Sequence, residues 1–154
     1  MNKVSAGILM YRRKKDHPEF LLVHPGGPFW KNKDNGSWTI PKGETNDGEE
    51  LLRAAIREFH EETGVLLDGD FIELTPVKQK SGKLVHAWAI EGDMNAGEIK
   101  SNLFEIEWPP RTGKMQSFPE IDKAAWFDIE RAKEKINPAQ VALLDELNEL
   151  LFHR

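Results

Sequence analysis

Three glutamates at helical spacing are the residues of this chain whose types and positions could do chemistry. Glu58, Glu61 and Glu62 stand at i, i+3 and i+4, so on an α-helix they share one arc of its surface. Like charges at this spacing repel one another, whereas Mg²⁺ binds carboxylate oxygens gathered in one place. One interpretation is therefore a metal site. The alternative is a solvated acidic helix face, with Arg53 and Arg57 paired to neighbouring glutamates.

A longer pattern surrounds these glutamates and favours the metal site. Gly43 is followed after five residues by Glu49, and after seven more by residues 57–65, which read Arg-Glu-Phe-His-Glu-Glu-Thr-Gly-Val. This pattern resembles the Nudix box at every specified position. The box reads Gly, five residues, Glu, seven residues, Arg-Glu, an apolar residue, any residue, Glu-Glu, any residue, Gly, and an apolar residue. Because nine positions within 23 residues are specified, the resemblance is a specific one.

The resemblance implies a Nudix hydrolase, which cleaves the pyrophosphate linkage of a nucleoside diphosphate-linked substrate by water attack at phosphorus, with Mg²⁺ or Mn²⁺ as cofactor. It implies that the three glutamates and the backbone carbonyl of Lys42 hold the metal. One of these glutamates, or a carboxylate outside the box, would be the general base. Arg57 would orient a glutamate, Glu49 would support the helix start, and Gly43 would allow a tight loop near metal or phosphate. Phosphoryl transfer depends mainly on positioning and charge neutralisation, which bound cations supply.

Two segments outside the box are similar to the dinucleoside tetraphosphate hydrolases of that family. The first runs from Trp38 to Gly43 and carries Trp, two residues and Pro-Lys-Gly; by this resemblance Lys42 meets a substrate phosphate, and we expect Trp38 and Gly43 beside the substrate. The second is a Phe-Pro-Glu run ending at Glu120, six residues before a tryptophan. In those relatives the corresponding glutamate approaches the metals, so Glu120 is predicted to be a ligand or the base. The alternatives are surface roles, or one of the nearby carboxylates Glu105, Glu107 and Asp122.

Several aromatic side chains in or beside predicted loops could stack on a nucleobase. They are Phe29, Trp30, Phe104 and Trp108. Trp30 is the one that we predict to contact substrate, and packing into the protein is the alternative for each. Residues 24–30 and 108–114 are unusual for the dinucleoside tetraphosphate branch, which would suit another subgroup with a different pocket.

The elements that must position these residues are predicted from the apolar pattern. Predicted strands are short apolar runs bounded by turn residues, at 4–11, 20–24, 38–40, 71–77, 84–90, 103–108 and 124–127. A helix is expected to start near Asp47 as N-cap, with two glutamates in its first turn, and to end at Gly64. Further helices are expected at 128–136 and from Asn137-Pro138 onward.

This order of elements predicts an α/β or α+β sandwich, and the resemblance implies the α/β/α sandwich with a mixed β-sheet of Nudix folds. The 154 residues fit a single domain, 1–154. A net charge of -5 argues against a broad nucleic-acid surface. The absence of cysteine excludes disulfide scaffolds, thiolate zinc sites and cysteine nucleophiles. With no apolar run long enough to span a membrane and no signal peptide, we expect a cytoplasmic monomer or homodimer.

These observations lead to a function and to alternatives for it. We expect a hydrolase whose partner is a small nucleotide-type substrate, either a dinucleoside polyphosphate or a nucleoside triphosphate. ADP-ribose or a nucleotide sugar is an alternative substrate for the same enzyme class. A different alternative is a non-catalytic module on the Nudix fold that senses a nucleotide or another metabolite. The complete acidic set favours the enzyme, because a sensor does not need every metal ligand.

Overall fold

A long hairpin forms the centre of the molecule, which the computed structural model describes for residues 4–152. Its strands are β1 (Val4–Lys14) and β2 (His17–Pro25), which pair antiparallel. Successive side chains of β1 point to opposite faces, so Ile8 is buried in one core cluster and Leu9 in another. Both faces of the strand are therefore covered, which explains why its apolar run is continuous rather than alternating.

The remaining strands complete one mixed sheet and one separate hairpin. They are β3 (Lys42–Glu44), β4 (Ile72–Glu73), β5 (Val77–Lys78), β6 (Leu84–Glu91), β7 (Leu103–Glu107), β8 (Met115–Pro119) and β9 (Ile121–Phe127). The main sheet has the order β4-β6-β1-β2-β9, with β3 paired to β1 and β5 paired to β6. Strands β1 and β6 are parallel and the other pairs are antiparallel. Strands β7 and β8 pair only with each other.

Helices cover both faces of the main sheet. Helix α1 (Leu51–Thr63) packs on one face through side chains that include Ala55 and Phe59. Helices α2 (Ile129–Lys135) and α3 (Val141–Phe152) contribute to the core cluster on the other face. The predicted α/β/α sandwich with a mixed sheet is therefore confirmed. Within residues 4–152, no helix combines the length and the apolar character needed to cross a membrane.

Most of the predicted strands are confirmed, and the differences have local causes. The run predicted at 71–77 is two short strands, because Pro76 lacks a backbone N–H for a ladder hydrogen bond. The strand predicted at 38–40 is wrong: Trp38 and Thr39 form only isolated bridges, and the strand begins after Pro41. Strand β8 was not predicted, since its side chains are largely exposed and carry no apolar alternation.

The start of the first helix also differs from the prediction. Helix α1 begins at Leu51 with Glu50 at the N-cap, and no side chain caps it, so Asp47 is not the cap. Glu49 precedes the helix, and its carboxylate accepts hydrogen bonds from the Asn46 backbone N–H and from Arg57. The predicted end is confirmed: Gly64 has φ 84° and donates its N–H to a helix carbonyl.

The two helices of the second layer begin as the sequence predicts. Asp128 caps α2 by accepting the Arg131 backbone N–H at 2.8 Å. Asn137 accepts the Ala139 backbone N–H at 2.9 Å, with proline next in the chain. That cap opens a single 3₁₀ turn, which leads directly into α3.

Candidate metal centre

One row of side chains on helix α1 combines burial with negative charge. Ala54, Glu58 and Glu62 follow one another at intervals of four residues, and their exposed fractions are 0%, 8% and 6%. The small Ala54 side chain occupies the packed part of this row, and the two glutamates continue it. The sequence pattern predicted three glutamates on one arc of the helix surface, and the structure buries two of them. The third glutamate, Glu61, is only partly buried.

The structure brings Glu120 together with the glutamates of the helix. Oxygen atoms of Glu58, Glu61 and Glu120 all lie within 4.8 Å of one another. Glu120 follows β8, and its backbone is held on both sides: its N–H donates to the Asn102 carbonyl and its carbonyl accepts from the Gly26 N–H, each at 2.8 Å. These bonds fix the position of a carboxylate that is 59 residues from Glu61 in the sequence.

Glycine is required at position 43 by close approach. Gly43 lies in β3, which pairs with β1 opposite Ala6. A Cβ atom added to Gly43 would overlap the carboxylate of Glu58. The first position of the box is therefore glycine because the buried carboxylate takes the space that a side chain would need.

Arg57 connects the glutamates of the site. Its Nε and Nη2 donate to the two carboxylate oxygens of Glu49 at 2.8 and 3.0 Å. Its Nη1 donates to Glu58 and to Glu61, at 2.9 Å each, and its Nη2 also donates to the Glu44 carbonyl at 3.1 Å. Hydrogen bonds to Glu49 are the largest cause of a raised Arg57 pKa, and the same bonds lower the pKa of Glu49. The guanidinium is thus anchored at one end and orients two carboxylates at the other.

Burial and mutual repulsion act together on the carboxylates. Burial raises the pKa of Glu58, and the Glu61 carboxylate raises it further against the opposing effect of Arg57. Burial, and then the charges of Glu58 and Glu120, hold the pKa of Glu62 well above its usual range. Burial and then Glu61 raise the pKa of Glu120. In each case burial and neighbouring negative charges disfavour the ionised carboxylate. A bound cation would stabilise the ionised form instead.

Glu62 and Lys42 occupy the buried side of this site. Within residues 4–152, Glu62 Oε1 is buried and has no hydrogen-bond partner. Burial lowers the pKa of the Lys42 ammonium, and Glu62 is the strongest of the nearby carboxylates that oppose this effect. Glu62 lies outside the group of three carboxylates that could share one ion. Its role as a ligand, like that of the Lys42 carbonyl, stays a prediction.

The donors present fit a hard divalent cation. Mg²⁺ and Mn²⁺ take oxygen ligands, and carboxylate oxygens are what this site offers. The charged forms of Glu58 and Glu120, which burial disfavours, are what a cation at this cluster would stabilise. We therefore interpret the cluster of Glu58, Glu61 and Glu120 as a candidate metal centre.

Comparison with known proteins gives the family of the chain. The sequence model described as "NUDIX domain" matches residues 1–147. The chain belongs to the NUDIX family. The predicted resemblance is thereby confirmed, and two of the three carboxylates of the cluster, Glu58 and Glu61, lie on the helix of the Nudix box.

Two curated relatives illustrate the range of the family. Nudix hydrolase 7 of Arabidopsis thaliana is 29% identical over 115 residues, which cover 70% of this chain and 39% of that protein. The asymmetrical bis(5'-nucleosyl)-tetraphosphatase of Rattus norvegicus is 34% identical over 99 residues, which cover 56% of this chain and 63% of that protein. The Nudix chain thus spans less than two thirds of the length of either relative.

A solved structure supports the fold. The Ap4A hydrolase of C. elegans, crystallised as a binary complex, matches with a TM-score of 0.67 and 22% identity, covering 96% of this chain and 97% of that chain. At this level of identity the likeness concerns the fold alone, and it agrees with the sandwich and mixed sheet described above.

The predicted substrate contacts of this Nudix domain have different outcomes. Trp38, which the resemblance placed beside the substrate, is 5% exposed, and its indole N–H donates to Asp34 at 2.8 Å. It belongs to the hydrophobic core, where the Phe127 ring contacts it edge to face with 5.1 Å between the ring centroids. Trp30 is 38% exposed with the Lys33 ammonium 5.0 Å from its ring, and its contact with substrate stays a prediction.

Sequence reasoning missed one buried polar group near the site. His24 is fully buried, and its two ring nitrogens lie 2.8 Å from Asp122 Oδ1 and 2.7 Å from the Lys33 carbonyl oxygen. Asp122 is 98 residues away in the sequence. Because no local pattern connects residues so far apart, the sequence contained no signal for this contact.

Replacing Arg57 tests whether its branched guanidinium orients the site. We expect Arg57→Lys to reduce metal affinity or turnover by about 10- to 100-fold, the usual cost of changing a group that positions metal ligands. A lysine ammonium cannot span the acceptors that the planar guanidinium reaches. Titration of metal binding by calorimetry measures the effect, with Arg53→Lys on the exposed face of the same helix as control. Equal affinities in Arg57→Lys and Arg53→Lys would contradict the orienting role.

Proposed function

We propose that this Nudix domain is a metal-dependent hydrolase that cleaves a pyrophosphate linkage in a nucleotide-type substrate. The proposal treats residues 1–154 as one domain, with Mg²⁺ or Mn²⁺ as cofactor. The observation that carries it is the convergence of oxygen atoms from Glu58, Glu61 and Glu120 within 4.8 Å. Named relatives add support, since one is a Nudix hydrolase and another a bis(5'-nucleosyl)-tetraphosphatase.

Different residues of the chain would hold the metal and the substrate. Glu58, Glu61 and Glu120 would hold the metal, with Glu62 and the Lys42 carbonyl as further candidate ligands. When bound, the cation neutralises phosphate charge and acidifies the attacking water. The Arg57 guanidinium holds two of these carboxylates in place, and the Lys42 ammonium, which lies near Glu62 and Glu58, would contact a substrate phosphate.

A carboxylate must also accept the proton of the attacking water. A general base has to lie within hydrogen-bond reach of the proton that it removes. Glu120 lies beside the box glutamates but comes from a different element, so it can act from another direction than the helix side chains. We propose Glu120 as a ligand or as the base, with a box glutamate as the alternative base.

A hydrolysis screen tests the proposed activity. Dinucleoside polyphosphates, nucleoside triphosphates, ADP-ribose and nucleotide sugars are incubated with the chain and Mg²⁺ or Mn²⁺, and the products are identified in heavy-oxygen water. Incorporation of one heavy oxygen into a product phosphate is expected, because water attacks phosphorus. Dinucleoside polyphosphates and nucleoside triphosphates are the substrates that we expect to react fastest. A screen with no turnover, but with ligand bound, would instead support the sensing module.

Metal binding also has a readout that does not depend on activity. We expect saturating Mn²⁺ or Mg²⁺ to raise the melting temperature by about 5–10 °C, because a ligand at 100 times its Kd stabilises the folded state by about 2.7 kcal/mol. In Glu120→Gln the shift is expected to fall to less than about half. Differential scanning fluorimetry measures both shifts, with Glu130→Gln, an exposed glutamate of α2, as matched control. An equal shift in Glu120→Gln and Glu130→Gln would exclude Glu120 from the metal centre.

A further inference from the structure

His24, at the start of the unusual segment 24–30, is fully buried and joins two distant parts of the chain. Its Nε2 lies 2.7 Å from the Lys33 carbonyl oxygen, and its Nδ1 lies 2.8 Å from Asp122 Oδ1. A carbonyl oxygen and a carboxylate accept hydrogen bonds and do not donate them, so both ring nitrogens donate. Water does not reach a fully buried ring, so breaking either bond leaves a polar group unsatisfied. The ring therefore holds the loop that contains Lys33 and the strand that contains Asp122 in fixed positions relative to β2.

Asp122 is the extra residue of a β-bulge in β9. The register pairs residues 24 and 25 of β2 with Lys123 and Ile121, so Asp122 between them has no partner on β2. An extra residue of this kind changes the direction in which the side chains before it point, and bulges are frequent beside active sites for this reason. Glu120 precedes Asp122 by two positions. The bulge, which the bond to His24 holds, therefore helps to set the direction of the Glu120 side chain.

The loop after β2 also binds the backbone of Glu120 directly. Gly26, two residues beyond His24, donates its N–H to the Glu120 carbonyl at 2.8 Å. A Cβ atom on Gly26 would overlap the carbonyl oxygen of Pro119, so this approach requires glycine. His24 thus holds the loop that donates to Glu120 and, through Asp122, the strand that follows it.

On its other side Glu120 is connected to helix α1 by a short bridge of backbone. The Glu120 N–H donates to the Asn102 carbonyl, and the Asn102 N–H donates to the Glu61 carbonyl, each at 2.8 Å. The hydroxyl of Ser101 accepts the Ile121 N–H at 3.0 Å. This bridge joins the main chains of Glu61 and Glu120. Glu120 can move away from Glu61 only by breaking bonds on this side or by pulling against them.

We propose that His24 is a positioning residue, which acts through Asp122 and the loop after β2 to hold Glu120 in the candidate metal centre. The inference rests on the proposed function for the metal that Glu120 would hold. Oxygen atoms of Glu61 and Glu120 lie within 4.8 Å, where their like charges repel one another. The segment that carries Glu120 must therefore be held from outside the cluster, and the two hydrogen bonds of His24 do this.

A double-mutant cycle on Mn²⁺ affinity, measured by calorimetry, tests the proposal without turnover. We expect His24→Gln to weaken Mn²⁺ binding by about 10-fold, because its single amide nitrogen cannot reach both acceptors and groups that orient metal ligands have effects of this size. In a Glu120→Gln background the same substitution should weaken binding by less than about 2-fold, since a residue that acts through Glu120 then has no ligand to position. Asp122→Ala should behave like His24→Gln. Asp122→Asn should retain most of the affinity, because its amide oxygen can still accept from Nδ1.

Leu147→Ala is the control for a general loss of stability, and all variants are compared at a temperature at which circular dichroism shows them folded. Leu147 is fully buried in the core beside α3, so this variant should melt at a lower temperature but bind Mn²⁺ like the wild type. Equal losses of affinity from His24→Gln in the wild-type and Glu120→Gln backgrounds would overturn the positioning role, as would unchanged affinity in both His24→Gln and Asp122→Ala. If the wild type binds Mn²⁺ but hydrolyses nothing, the proposed hydrolase fails while the cycle still decides the role of His24. A wild type that binds no Mn²⁺ would overturn both.

Discussion

Replacing Glu61 by Gln is expected to lower kcat by roughly 10³-fold at saturating metal, which corresponds to about 4 kcal/mol of lost transition-state stabilisation. The substitution keeps the shape of the side chain and removes the charge that would hold the cation. Glutamine can still accept the hydrogen bond that Arg57 donates at 2.9 Å, so helix α1 should remain folded. Steady-state rates with a substrate from the screen measure the loss.

The stability of the same variant separates chemistry from folding. Glu61 raises the pKa of both Glu58 and Glu120, so removing its charge relieves repulsion. In the absence of metal, the melting temperature of Glu61→Gln should therefore equal or exceed that of the wild type. Glu50→Gln, an exposed glutamate at the start of the same helix, is the control and should keep full activity. Unchanged turnover of Glu61→Gln at saturating metal would remove Glu61 from the metal centre.

Replacing Gly43 by Ala is expected to harm both activity and stability. The added Cβ overlaps the Glu58 carboxylate, so the carboxylate or strand β3 must move. Overpacking of this kind costs about 1–3 kcal/mol of unfolding free energy, or a melting temperature lower by about 3–10 °C. A ligand displaced by about 1 Å costs on the order of 10²-fold in rate. Chemical denaturation and steady-state kinetics measure the two effects.

Two further variants test whether contact between the added methyl group at position 43 and the Glu58 carboxylate causes these losses. In Gly97→Ala the added methyl group meets only an asparagine side chain, at 3.3 Å, so stability and activity should stay near those of the wild type. In the double variant Gly43→Ala/Glu58→Asp the shorter carboxylate leaves room for the methyl group. That variant should recover stability relative to Gly43→Ala while remaining slow, because the aspartate does not reach the same position. Additive losses of stability in the double variant would mean that the two positions do not compete for space.

Local patterns predicted the parts of this protein that depend on neighbouring residues. The spacing of Glu58, Glu61 and Glu62 identified a helix with an acidic arc, and Gly64 marked its end because a left-handed residue is needed there. The apolar run at 4–11 predicted the strand β1. The box pattern led to the family, and the order of strands and helices led to the sandwich. Each of these features is encoded within a few turns or one strand of the chain.

The features that the sequence alone did not predict depend on packing between distant segments. The spacing on α1 did not predict that Glu58 and Glu62 are buried, and Glu58 is buried against β3, where Gly43 leaves room for its carboxylate. Trp38 has the sequence context of a substrate contact but fills the core instead.

The sequence by itself determined the family, the layered fold and the identity of the acidic residues, because these follow from residue types at fixed local spacing. The resemblance suggested Glu120, but only the tertiary structure decided that its oxygen atoms lie within 4.8 Å of those of Glu58 and Glu61. The physical reason is that such distances are set by the pairing of β2 with β9 and by the packing of the β7–β8 hairpin on the loop after β2. Those contacts join residues that are many positions apart, so no short sequence pattern specifies them.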